Sequence, residues 1–131
     1  MKLPIRIKRI FTFDSAHYLP GHYGKCAGMH GHTYKLEVTV ARNDRQLIVN
    51  GSSEGMVMDF TDLNRIVKEE IIDKVDHKIL NEVFDFRTTS ENLASHFFQV
   101  ISGKLEQYEV VVHKIALWET PNSCVEVGDE R

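Results

Sequence analysis

The chain has 131 residues, 42% hydrophobic and 27% charged, a balance that suits one core of the kind that organises about 100 to 200 residues. A formal net charge of -3 gives no electrostatic footprint for nucleic acid or an anionic membrane, and no apolar run approaches the roughly 20 residues of a membrane helix. The start, MKLPIRIKRI, shows no leader-like apolar stretch, and two cysteines, Cys26 and Cys124, make no disulfide framework, so the expected compartment is the cytoplasm.

From Ile5 to Phe13 the odd positions are Ile5, Ile7, Arg9, Phe11 and Phe13, mostly the period of a half-buried strand. Leu19 to Gly31 holds one Pro and four Gly and reads as a loop. Thr33 to Val40 alternates, with Tyr34, Leu36, Val38 and Val40 on one face and Thr33, Lys35, Glu37 and Thr39 on the other. Residues 42–55 are polar around Leu47-Ile48-Val49 and read as a hairpin connection, and Met56 to Phe60 is predicted as a short strand ending at Asp59. Leu63, Ile66, Val67, Ile71 and Val75 then form a helical stripe, with Asp59 or Thr61 as N-cap. A second helix is predicted from about Ser90 to Leu105, opened by a capping box, Thr88-x-x-Glu91. Glu109 to Trp118 is β-rich, and Cys124 to Val127 adds a short strand. The order predicts an α+β fold: an antiparallel four-stranded sheet with two helices on one face, in a single domain over residues 1–131.

The chemistry gathers in the histidines. Of seven, His17, His22, His30 and His32 lie close together in sequence. In one strand starting at His30, His30 and His32 point to the same side, and Gly31 between them lets backbone or ligand approach. His17 continues the odd register of Phe11 and Phe13. Three neutral imidazoles from two neighbouring strands suit a catalytic zinc site, because the fourth position stays open. A structural site is the plainer alternative, with Cys26 as the fourth ligand. Against it, Cys26 sits in a Gly-flanked loop beside Lys25 and His22, where positive charge favours a reactive thiolate. Asp76-His77 reads either as a catalytic pair or as a solvated helix end, and Glu119 either as a pocket carboxylate or a solvated strand end.

Six landmarks in order resemble the family of 6-pyruvoyltetrahydropterin and 6-carboxytetrahydropterin synthases. They are Phe13-Asp14-Ser15-Ala16-His17, Cys26-x-x-x-His30-Gly31-His32, Gly55-Met56-Val57-Met58-Asp59-Phe60, Asp76-His77-x-x-Leu80-Asn81, Thr89-Ser90-Glu91-Asn92 and Trp118-Glu119-Thr120. The resemblance implies the tunnelling fold (T-fold), in which sheets from several subunits form a β-barrel, commonly a homohexamer with active sites between subunits. It implies that His17, His30 and His32 hold Zn2+, and that Cys26, Asp76 and His77 move protons. Glu119 then anchors the pterin edge, and Thr89, Ser90 and Glu91 lie near the ring. The implied substrate is 7,8-dihydroneopterin triphosphate. The three-residue gap between Cys26 and His30 resembles the 6-carboxy branch, a lyase of queuosine synthesis that releases acetaldehyde and triphosphate. The alternatives are a 6-pyruvoyl-forming synthase on the same substrate and a non-catalytic zinc-stabilised pterin-binding module. Thr88 departs from the Pro that many relatives carry before the Thr-Ser-Glu segment.

Overall fold

The computed structural model describes residues 3–128. Its elements run β1 (Arg6–His17), β2 (His30–Arg42), α1 (Phe60–Val67), a π-helical segment (Lys68–Ile72), α2 (Asp73–Val75), β3 (Lys78–Ile79), α3 (Leu80–Val83), α4 (Ser90–Leu105), β4 (Val110–Thr120) and β5 (Ser123–Gly128). The sheet order is β3-β1-β2-β4-β5. Neighbours are antiparallel except β3, which runs parallel to β1 with Lys78 opposite Ser15. The sheet is thus mixed and five-stranded rather than four-stranded and antiparallel. A strand of two residues is too short to show an alternation, which is why the sequence pattern misses it.

One face of the sheet carries the core. Tyr34, Leu36, Val38 and Val40 of β2 are fully buried, as the alternation predicts. In β4 the inward positions change phase. Val110 and Val112 face the core, then Ile115 and Leu117 do, because a β-bulge shifts the register between Thr39 and Val40. One extra residue on the bulged strand reverses which side chains point inward. Beyond the bulge the new phase runs through Ile115 and Leu117 to Glu119, where a second register shift, against β5 between Trp118 and Thr120, ends it. Without the bulge, Trp118 would take that place.

The helices cover this face, with α4 packed on β4 and β5. Asp59 caps α1, accepting from the Thr61 amide at 2.8 Å. The π segment then inserts one residue, which brings Ile71, Ile72 and Val75 into the core and leaves Glu70 at the edge beside Lys74 and Lys104. Residues 56–60 form no strand. Val57 and Met58 are both buried, and two adjacent inward side chains are incompatible with a strand that has one buried face. The cap of α4 also differs from the sequence reading: Thr89, not Thr88, is the N-cap, its hydroxyl accepting from the Asn92 amide at 3.2 Å. Thr88 is fully buried and turned to another task. Among the described residues no helix is long and apolar enough to cross a membrane.

Candidate metal centre

The site forms where β1 ends and β2 begins. His17 and His30 are partners in the β1–β2 ladder, and Ser15 is opposite His32. Strand alternation puts His17, His30 and His32 on the core face with Phe13 and Tyr34. Their rings form a tight trio, with centroids 4.6 Å apart for His17–His30, 4.8 Å for His30–His32 and 5.5 Å for His17–His32. The phase change in β4 adds Glu119. One ligand atom from each of the four residues lies within 4.8 Å of the others.

The proton inventory makes this a donor set for a cation. The Nδ1 of His17 lies 2.8 Å from the Thr88 carbonyl and 3.2 Å from its hydroxyl, and the Nδ1 of His30 lies 2.7 Å from the Gly28 carbonyl. A carbonyl only accepts, so Nδ1 carries the proton and donates in both rings, and Nε2 keeps its lone pair. The Nε2 atoms of His17, His30 and His32 are all buried without a hydrogen-bond partner. The Glu119 Oε1 stands 3.5 Å from His17 Nε2 and 3.2 Å from His32 Nε2, close enough for attraction but outside hydrogen-bond geometry. Buried polar atoms are normally partnered, and three unpartnered Nε2 atoms beside a carboxylate can be satisfied together by one metal ion. The residues fit such an ion.

Burial lowers the pKa of His17 first of all; the Thr88 carbonyl and Glu119 oppose it and His30 reinforces it. His32 is lowered too, again by burial, with Glu119 opposing. Both therefore present neutral nitrogens at neutral pH, as a metal requires. Tyr34, buried beside them, has its phenol pKa raised by burial and by the Glu119 charge, so it stays a donor.

The other expected residues fall into three places. Cys26 is exposed in a short turn of the loop between β1 and β2, its carbonyl accepting from the Leu19 amide at 3.0 Å. Its thiol is not among the four-residue donor set, so it does not close the site. Asp76 and His77 form a second set with Asp14, whose side chain projects to the opposite face of β1 from His17. There Asp76 Oδ1 accepts from the Asp14 amide at 2.9 Å, and Asp76 Oδ2 lies 3.1 Å from His77 Nδ1. These two sets are not brought together within one chain. Thr89, Ser90 and Glu91 open α4 next to Thr88; Glu91 is exposed, and the Ser90 hydroxyl is buried without a partner.

Two positioning features escaped the sequence reading. Thr88 and Gly28 orient the histidines through backbone carbonyls, which leave no residue-type signal. Asn81 clamps the chain just after His17: its Oδ1 accepts from the Tyr18 amide at 3.0 Å and its Nδ2 donates to the Tyr18 carbonyl at 2.9 Å. The Asp-His-x-x-Leu-Asn landmark marks Asn81 in sequence, but nothing there says what it holds.

The 6-pyruvoyl tetrahydropterin synthase family model matches residues 6–130. The chain belongs to this family. The 6-carboxy-5,6,7,8-tetrahydropterin synthase of Haemophilus influenzae is 37% identical over 142 aligned positions, covering 92% of this chain and 96% of the relative. The protein of the same name from Synechocystis is 39% identical over 120, covering 90% and 88%. The structure of Caenorhabditis elegans 6-pyruvoyl tetrahydropterin synthase matches with a TM-score of 0.79 at 26% identity, over 98% of this chain and 97% of that one. The α+β fold of residues 3–128 is the family's fold, and the histidine set lies inside the matched region.

Proposed function

We propose that this chain is a zinc-dependent lyase that converts 7,8-dihydroneopterin triphosphate to 6-carboxy-5,6,7,8-tetrahydropterin, releasing acetaldehyde and triphosphate. The observation that carries the reading is the trio of buried, unpartnered Nε2 atoms in a chain whose relatives at 37% and 39% identity bear that synthase's name. Three imidazoles and an oxygen donor match the ligand preferences of zinc. When bound, zinc supplies a Lewis acid that stabilises negative charge developing on the oxygens of the substrate side chain.

The chain's own residues do the rest. His17, His30 and His32 hold the ion through Nε2, and the carbonyls of Thr88 and Gly28 keep the first two in the right tautomer. Cys26, as thiolate, removes a carbon-bound proton; its exposed turn leaves the sulfur free for substrate rather than for the metal. Asp76 is held anionic chiefly by the Asp14 amide and then by His77, which keep its pKa low. It accepts from His77 Nδ1, which leaves the far ring nitrogen to take or give a proton. Because this pair opens on the other side of β1 from the histidines, it serves the site of a neighbouring subunit in a homohexamer. Glu119, Thr89, Ser90 and Glu91 bind the substrate, a role supported for Glu119 by its carboxylate beside the histidine nitrogens. A cytoplasmic enzyme spanning residues 1–131 as one domain accords with this chemistry.

Mass spectrometry of products from zinc-loaded protein and 7,8-dihydroneopterin triphosphate tests the proposal. A 6-carboxytetrahydropterin peak with acetaldehyde is expected. A 6-pyruvoyl product would move the chain to the second reading, which the likeness to the nematode 6-pyruvoyl synthase favours. No turnover by metal-replete oligomer would leave the non-catalytic module, which the position of Cys26 outside the donor set disfavours.

A further inference from the structure

The β2–β4 ladder ends with Lys35 opposite Trp118, and Tyr34 and Glu119 each lie one residue beyond that pair on the core face. Tyr34 is fully buried, stacked on Phe13 at 4.8 Å, and its hydroxyl has no hydrogen-bond partner. Its ring stands 5.5 Å from that of His32 and 6.4 Å from that of His17. A buried O–H without an acceptor is costly, so an acceptor from the adjoining strand, where Glu119 holds the matching position, would relieve it. The Glu119 carboxylate, meanwhile, leans toward the histidine nitrogens, 3.2 Å from His32 Nε2. It thus has the cation position beside it and, across the end of the β2–β4 ladder on the same face, Tyr34 as the residue of the adjoining strand.

We infer that Glu119 is a displaceable fourth ligand, on the metal in the substrate-free protein and turned onto the Tyr34 hydroxyl, which donates to it, when an incoming ligand takes that position. The inference rests on the metal-holding reading of the site. Its physical logic is that neither state strands a charge. With Glu119 on the metal, one negative charge offsets part of the cation's charge in a buried setting. With Glu119 displaced, the Tyr34 proton gives the carboxylate a hydrogen bond that it would otherwise lack. Tyr34 touches no substrate in this scheme. It is a positioning residue acting through Glu119.

The test uses the full-length protein loaded with cobalt(II), whose visible spectrum reports ligand number and type, with azide as a small anion that takes an open metal position. Glu119→Gln is expected to change the visible band and weaken cobalt affinity about tenfold or more in chelator competition. Tyr34→Phe is expected to keep the band and the cobalt affinity but weaken azide binding about tenfold, a readout that a purely packing role would not move. In the wild-type protein, azide is expected to shift a carboxylate stretch in the infrared difference spectrum, and that shift should vanish in Glu119→Gln. An unchanged visible band and affinity in Glu119→Gln, or an absent infrared shift, would overturn the inference even if Tyr34→Phe does not fold. Unchanged azide affinity in folded Tyr34→Phe would remove the tyrosine from it. Failure of the wild-type protein to take up cobalt would sink the metal reading itself, a different result from either.

Discussion

His17 is fully buried, and burial holds its pKa below 6.5, the value it regains when the chain unfolds. Between those two values the unfolded state binds more protons than the folded one. The stability that neutral His17 permits is therefore fully present above pH 6.5 and is lost as pH falls through the folded pKa. Metal-free wild type and His17→Gln should accordingly differ in melting temperature by an amount that changes below pH 6.5 and is flat above it. A difference that is constant across the whole range would show that His17 is not held neutral by the fold. Cys26 makes a separate expectation at the same scale. Its thiol stands outside the donor set, so Cys26→Ala should abolish turnover while retaining one equivalent of metal; joint loss of metal and folding would make the cysteine a ligand instead. The histidine trio was legible in the sequence because a strand's period of two puts His30 and His32 on one face and carries His17 into register from the next strand. The carbonyls of Thr88 and Gly28 were not, because any residue supplies a carbonyl and only the folded backbone aims it.

At the start of α4 two adjacent threonines hold separate tasks, where the sequence pattern assigns Thr88 the cap. Thr89 caps the helix, and Thr88, one residue earlier, points its hydroxyl and carbonyl at His17. Both fit the Ser/Thr preference of an N-cap, and a shift of one position is within what a motif resolves. The two have separable effects. Thr89→Ala should cost about 1 kcal/mol of stability in denaturant titration and leave metal affinity unchanged. Thr88→Val removes the hydroxyl and keeps the carbonyl; it should weaken metal affinity up to about tenfold and leave the helix cap intact. Reversed outcomes would restore the capping box. The amphipathic helices and the clean alternation of β2 were readable because each element repeats its pattern over several turns or pleats. The π segment and the β4 bulge each change phase by a single residue, and the two-residue β3 is too short to show a phase. Of these the bulge matters most to the site, since it carries the inward phase of β4 to Glu119.

In the whole molecule, the two halves of the proposed chemistry face different ways. The histidine set occupies the core face of β1 and β2, whereas Asp14, Asp76 and His77 gather around the outer side of β1, with the His77 side chain 78% exposed. An open groove runs along that side, lined by Asp14, Ala16, Gly31, Thr33, His77 and Lys78 together with Ser15, His32 and Ile79. On the far side of the sheet β5 ends the strand order. A sheet ended this way has backbone groups ready to pair with another copy, and closure into a barrel removes both edges at once. Cys26 of one subunit can then meet the His77 pair of its neighbour. Mixing makes this testable. Cys26→Ala and His77→Ala should each be inactive alone. After dissociation and reassembly of an equal mixture, about a quarter of the sites in a symmetric ring combine an intact Cys26 from one variant with an intact His77 from the other, so about a quarter of wild-type activity should return. A site built within one chain would recover nothing, because every subunit in the mixture carries one of the two lesions.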